Sequence, residues 1–204
     1  GLEDIYFTGN QVSDKLYLNQ GSFKFKDISA EAGITNNNWN TGVTAVDINA
    51  DGLLDIYICT VSGHLDLKGH NKLYINQGIK DGIPQFKEES EKYGLDYHGL
   101  STQAAFFDYD LDGDLDVYVL NHSVHPNSNY GRANIRRVSD SLTGDRLYKN
   151  DNGYFTDVTS SAGILNSKIG YGLGVSVSDL NNDNYPDLYI ANDFFENDYI
   201  YLNN

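Results

Sequence analysis

Cysteine is nearly absent from this chain: Cys59 is the only one among 204 residues. A single thiol excludes an intrachain disulfide and any cysteine-based zinc cluster. Its place in the apolar run Ile56–Cys59 reads as a buried, inert small hydrophobe. Basic residues are also scarce. Lys and Arg total 14 against 29 Asp and Glu, for a net charge of −15. Nucleic acid needs the opposite balance, because phosphates reward Lys and Arg. No apolar run approaches the length of a membrane-spanning helix, so membrane association is expected only through regions outside this segment. No secretory signal is visible. Ser-His-Asp order, zinc motifs and nucleotide-binding loops are missing too. Helix-favouring stretches are few, whereas 16 Tyr, 9 Phe and 20 Gly point to strands joined by turns.

What the chain does have is patterned acid. In Asp108-Tyr109-Asp110-Leu111-Asp112-Gly113-Asp114-Leu115-Asp116, carboxylates fall at positions 1, 3, 5 and 9 of a nine-residue loop, with Gly at position 6. Odd positions of a tight loop can turn inward together, and Gly takes the backbone angle of the sharp turn. Residues 47–55 repeat the pattern with Asn49 at position 3. Residues 179–187 repeat it with Asn181 at position 3 and Asn184 at position 6, where Asn also tolerates left-handed angles. Gly1-Leu2-Glu3-Asp4 reads as positions 6 to 9 of a fourth copy. The three complete loops hold 11 of the 29 acids. So many like charges repel unless a cation sits among them. Many flexible oxygen ligands suit calcium better than magnesium, and the lack of Cys or His disfavours zinc. The expected ligands are Asp47, Asn49, Asp51 and Asp55; Asp108, Asp110, Asp112 and Asp116; and Asp179, Asn181, Asp183 and Asp187. Leu53, Asp114 and Tyr185 supply backbone carbonyls. That makes about three calcium ions, at an affinity on the order of 10⁻⁴ to 10⁻³ M.

The loops belong to a larger repeat. Asp4, Asp55, Asp116 and Asp187 lie 51, 61 and 71 residues apart. Each begins an apolar strand. A small-residue strand precedes each complete loop, a third strand (Lys/Arg-Leu-Tyr in the first three copies, Tyr199-Ile200-Tyr201 in the last) follows, and the first three copies continue into an Asn-rich turn and an aromatic fourth strand. Four short strands at this period are expected of propeller blades. The fold class is therefore all-β: part of a β-propeller, about three and a half four-stranded blades, with the Asp-rich loops between first and second strands. The segment 1–204 divides into a partial blade 1–40, blades 41–100 and 101–165, and a partial blade 166–204. Too few blades are present to close a ring, so the segment reads as a piece of a longer chain with exposed outer faces. Short connectors ending in Ala32-Gly33-Ile34, Tyr93-Gly94-Leu95 and Ala162-Gly163-Ile164 read as single helical turns.

At these residues the chain resembles the FG-GAP (VCBS) repeat family, the calcium-loop repeats of the integrin alpha-chain propeller. The Asn-Lys-Leu-Tyr-x-Asn-Gln-Gly … Phe … Ala-Gly-Ile pattern is similar to FG-GAP-like proteins that often carry an ASPIC/UnbV domain, related to cartilage acidic protein. The resemblance implies a seven-bladed propeller, calcium in the loops and an extracellular, cell-surface or periplasmic setting. It implies no single activity.

An insertion over 121–140 brings His122, His125, Arg132, Arg136 and Arg137 into an acidic chain, on a rim shared with 63–70 and 192–198. The Arg residues suit a carboxylate, and the His residues suit metal or proton transfer. A solvated loop with Arg paired to nearby acids is the plainer expectation. Trp39 either packs between blades or stacks on a sugar. The leading expectation is a non-catalytic adhesion module for a protein or glycan. The alternative is a calcium-dependent polysaccharide lyase or hydrolase, which needs a base and a cation or Arg at the uronate.

Overall fold

The computed structural model describes residues 2–125, 133–194 and 196–204. The chain forms four antiparallel sheets in sequence. Strands β1 (Ile5–Phe7), β2 (Lys15–Asn19) and β3 (Phe25–Asp27) make the first. The second holds β4 (Trp39–Val46), β5 (Asp55–Val61), β6 (Lys72–Lys80) and β7 (Ile83–Glu88), and the third holds β8 (Ser101–Phe107), β9 (Asp116–Asn121), β10 (Arg146–Asp151) and β11 (Tyr154–Asp157). The last contains β12 (Gly172–Ser178), β13 (Asp187–Asn192) and β14 (Tyr199–Tyr201). Each sheet is a meander whose spatial order follows the sequence. Helix among the described residues is limited to α1 (Ser90–Tyr93) and one 3₁₀ turn, Ala133–Arg137.

Hydrophobic clusters fill the spaces between successive sheets. Leu16, Ile28 and Ile34 of the first meet Ile56, Ile58 and Tyr74 of the second. Tyr57, Leu73 and Ile75 meet Val117, Val119 and Phe155 of the third. Tyr118, Leu120 and Leu147 meet Leu188 and Ile190 of the last. One strand thus buries alternate residues in two different clusters, which is why β5 and β9 are apolar on both faces. Each such side chain stabilises by about 1.5–3 kcal/mol on burial. Cys59 belongs to the second cluster, is 1% exposed, and burial raises its thiol pKa well above the ordinary range. The first strands of the second and third sheets stay close through threonine: the Thr41 and Thr44 hydroxyls of β4 donate to the Ser101 and Ala104 carbonyls of β8 at 2.7 and 2.8 Å.

The three connectors share one geometry. Leu95 N–H donates to the Ser90 carbonyl, Ile34 N–H to Ser29 and Ile164 N–H to Thr159, each closing a turn around a glycine with positive φ. The first two turns lean on the fourth strand of the next sheet. A methyl group on Gly33 would sit 2.8 Å from the Phe86 carbonyl oxygen, and one on Gly94 2.6 Å from that of Phe155. One turn departs from expectation. Asn76-Gln77-Gly78 forms a bulge rather than the hairpin turn, and β6 runs on to Asp81-Gly82, whose paired positive φ values of 53° and 80° make the tight turn. β3 begins only at Phe25, because Gly21, Ser22 and Phe23 all take positive φ.

Candidate metal centre

Each acidic loop joins the first and second strands of its sheet, and all three close by the same hydrogen bonds. The position-1 carboxylate grips two amides. Asp47 accepts from Asp51 N–H (3.0 Å) and Gly52 N–H (2.9 Å). Asp108 does so with Asp112 and Gly113, and Asp179 with Asp183 and Asn184. The position-9 carboxylate pins the loop to the third strand. Asp116 Oδ2 accepts from Tyr109 N–H (2.9 Å) and Oδ1 from Asn150 N–H (2.8 Å). Asp55 pairs likewise with Ile48 and Asn76, and Asp187 with Leu180 and Asn203. Asp4 keeps the second half of this clip, accepting from Asn19 N–H at 2.8 Å. Position 6 is left-handed as its residues require: φ is 85° at Gly52, 99° at Gly113 and 74° at Asn184. Position 4 is left-handed too, at Ala50, Leu111 and Asn182, which the residue types did not announce.

Charge separates the loops. In the second, carboxylate oxygens of Asp108, Asp110 and Asp116 lie within 4.8 Å of one another. In the other two, an asparagine amide at position 3 spans the loop instead: Asn49 Nδ2 donates to Asp51 at 3.0 Å and Asn181 Nδ2 to Asp183 at 2.8 Å. Asp110 Oδ1 and Asp114 Oδ1 are buried and have no hydrogen-bond partner. Unpaired anionic oxygens are costly away from water, so this donor set fits a hard cation. The Asp114 side chain was not among the expected ligands, which took only its carbonyl. Lys149, projecting from β10, bonds Asp110 and reaches Asp112 at 3.1 Å. Its ammonium supplies one positive charge to the loop.

The electrostatics follow. Burial, then the Asp110 and Asp112 charges, push the Asp116 carboxyl up to about 6 against the pull of its two amide donors. Burial raises Asp55 as well, and burial followed by Asp112 raises Asp114. The Lys149 hydrogen bond holds Asp112 below its usual value.

Three insertion residues, His122, His125 and Arg136, are drawn into packing. The Arg136 guanidinium contacts Glu196 at 2.9 Å, and the Glu196 side chain is 1% exposed. His125 Nε2 lies 3.5 Å from Asp140, and its carbonyl accepts from the Tyr171 hydroxyl at 2.8 Å. His122 stacks edge-on against Tyr171, which also meets Phe194. The insertion and the 192–198 segment therefore meet, through Tyr171 and Glu196. Arg137 is exposed and lines a cleft of about 740 Å³ with Arg146, Asp157 and Asn166. Arg132 lies outside the described residues. Trp39 is half-buried at the start of β4, paired with Val61.

Sequence reasoning missed a second repeated polar site, the residue just before each third strand. Asp145 Oδ2 accepts from the Tyr118 hydroxyl at 2.7 Å, and Oδ1 from Asn121 N–H at 2.8 Å. Asp14 accepts from Tyr6 and Gly9, and Asp198 from Tyr189 and Asn192. In the second sheet Asn71 stands there, donating to the Tyr57 hydroxyl and accepting from Thr60 N–H. The signal was available: Asp or Asn precedes every third strand and Tyr holds the same place in every second strand. Among curated proteins, none matches the chain. Residues 1–58, which span the first sheet, the first complete loop and the start of β5, match a family model described as FG-GAP-like repeat.

Proposed function

We propose that this chain is a calcium-binding segment of a β-propeller in a secreted or cell-surface protein, and that it serves as a non-catalytic binding module for a protein or glycan. The four sheets are the blades, with boundaries near residues 40, 100 and 165. One observation carries the calcium reading: Asp108, Asp110 and Asp116 converge, while buried oxygens of Asp110 and Asp114 lack any donor. Asp108, Asp110, Asp112 and Asp116, with the Asp114 carbonyl, would hold the ion at the second loop. The first and third loops use Asp47, Asn49, Asp51 and Asp55, and Asp179, Asn181, Asp183 and Asp187. A bound cation supplies the charge that offsets carboxylate repulsion; the amide network already sets the loop shape. Modest affinity suits millimolar calcium outside cells. The binding face is the rim carrying the insertion, where Arg137 borders an open polar cleft suited to carboxylate groups.

The test is calorimetric unfolding of the chain in millimolar calcium and then in excess chelator. Saturating calcium is expected to raise the melting temperature by roughly 5–10 °C. Identical melting in calcium and chelator would sink the calcium reading. For the lyase alternative, Arg136 is held by Glu196, and Arg137 is the described insertion arginine that borders the cleft.

A further inference from the structure

A polar cleft recurs beside the residue that opens the third strand. In the first sheet it encloses about 470 Å³ and is lined by Lys15, Asp27, Ser29 and Glu31. In the third it encloses about 740 Å³, and Arg146, Asp157, Thr159 and Ser161 hold the equivalent places. The first cleft stays open although the four-stranded second sheet packs against the first. The opening is therefore a property of the repeat itself, present with a complete neighbour in place.

The two clefts differ in sign. Asp14, Asp27 and Glu31 outweigh Lys15 in the first, and Lys15 is paired with Asp27 at 2.8 Å. In the third, Arg137 and Arg146 outweigh Asp157. That is a local excess of positive charge on a chain of net charge −15. The two arginines are prepared differently. The Arg146 side chain is only 8% exposed. Its Nη2 donates to the Asp140 and Ser141 carbonyls at 3.2 and 3.1 Å, and its guanidinium lies 5.4 Å from the centre of the Tyr97 ring. Those contacts fix the group at the cleft wall. Its Nε stands 3.8 Å from Asp157, too far for a hydrogen bond. Arg137 is exposed and makes no ion pair among the described residues. Exposed Ser139, Ser160 and Ser161 add hydroxyls, Asn166 adds an amide, and Ile164 and Leu165 add an apolar patch. A uronic acid presents one carboxylate among several hydroxyls and a C–H face, the proportions this lining offers. An acidic peptide presents more charge and few hydroxyls. The volume lies within the roughly 300–1,000 Å³ typical of small-ligand sites.

We propose that the cleft of the third sheet takes a uronic-acid unit of an acidic glycan, with Arg137 and Arg146 on its carboxylate. This rests on the reading of the chain as a non-catalytic glycan-binding module and names the ligand class and the residues that select it. The test is titration calorimetry of the whole chain in millimolar calcium with a galacturonate trimer, a galactose trimer and a hexaglutamate peptide. The galacturonate trimer is expected to bind one to one, and the other two are not. Arg137→Gln is expected to weaken that binding roughly 10- to 100-fold, as loss of a charged hydrogen-bond donor requires. Arg137 is exposed, so circular dichroism of the variant should match the unmodified chain. Asp157→Asn keeps an acceptor for the Thr159 amide, which lies at 2.9 Å, and removes the competing charge, so it should tighten binding a few-fold. Equal binding of the galactose trimer or of hexaglutamate overturns the proposal. So does undiminished binding by Arg137→Gln, which would put the sugar elsewhere, as on calcium in the acidic loops. Melting with calcium and with chelator keeps the two readings apart. Uronate binding without calcium stabilisation supports the cleft and sinks the calcium reading, whereas calcium stabilisation without uronate binding overturns the cleft alone.

Discussion

The second and third sheets build one architecture with opposite electrical habits. Both have four antiparallel strands in sequence order, and their acidic loops close through equivalent amides. At four equivalent places the second sheet is neutral and the third is charged: Asn49 against Asp110, Leu53 against Asp114, Asn71 against Asp145, and Ile75 against Lys149. The backbone hydrogen bonds to positions 1 and 9 are common to both loops. The loop's shape is therefore set by carboxylates at positions 1 and 9, and charge at the remaining positions is available for binding. Asn49 can bridge its loop with an amide. Asp110 has only acceptors to offer, and one of them is left without a donor.

The comparison breaks most severely at position 9. Asp116→Ala leaves the Tyr109 and Asn150 amides without an acceptor and removes a converging carboxylate. Two such donors cost about 2–5 kcal/mol together, so urea unfolding should show a large loss of stability. Calcium-dependent stabilisation should also fall. Asp55→Ala should lose comparable stability by the same method and less of the calcium response.

A pH titration separates Asp145 from Asn71. Burial pushes the Asp145 carboxyl up to about 7, against the Asn121 amide, the Tyr118 hydroxyl and Arg146, from an ordinary value near 3.8. Between those values the folded protein holds more protons than the unfolded one. Stability from this group is therefore complete below pH 4 and declines as pH rises towards 7, by about 1 kcal/mol per unit at the steepest. Asp145→Asn copies the second sheet, where Asn71 donates to the Tyr57 hydroxyl. It is expected to flatten that slope in chemical denaturation measured from pH 4 to 8. An unchanged slope would assign the dependence to other carboxylates.

A smaller effect is expected from Asp110→Asn, which gives the second loop the neutral position 3 of its neighbours. Calcium affinity by titration calorimetry should fall roughly 10-fold, because ligand charge tunes such sites. Smallest is Lys149→Leu, which restores the apolar residue found there as Leu18, Ile75 and Leu202. Removing the competing ammonium should raise calcium affinity a few-fold. Weaker binding would mean that Lys149 orders the ligands instead of displacing the ion.

Much of this was legible before any coordinates. The periodic acids located the loops, and apolar runs after each position-9 Asp located β5, β9 and β13; β5 and β9 are buried on both faces, which leaves an unbroken apolar signature, whereas β13 leaves Tyr189 exposed. Gly113 and Asn184 announced their left-handed angles. The turn after β6 was misplaced, since Asn-Gln-Gly and Asp-Gly are both turn-forming and only pairing across the hairpin selected the second. Asp145 and its equivalents went unnoticed because a polar residue before a strand looks like any solvated loop residue until its neighbours enclose it.

By itself, then, the sequence determined the all-β repeat, the strand order and the positions of the acidic loops. These depend on local spacing, turn chemistry and alternation along one stretch of chain. Tertiary structure alone decided that Lys149 reaches into the second loop, that Arg136 is held by Glu196, and that Asp145 is enclosed with Tyr118 and Asn121. Each of these depends on distances between residues separated along the chain, and on which of them lose water, and no local pattern contains either quantity.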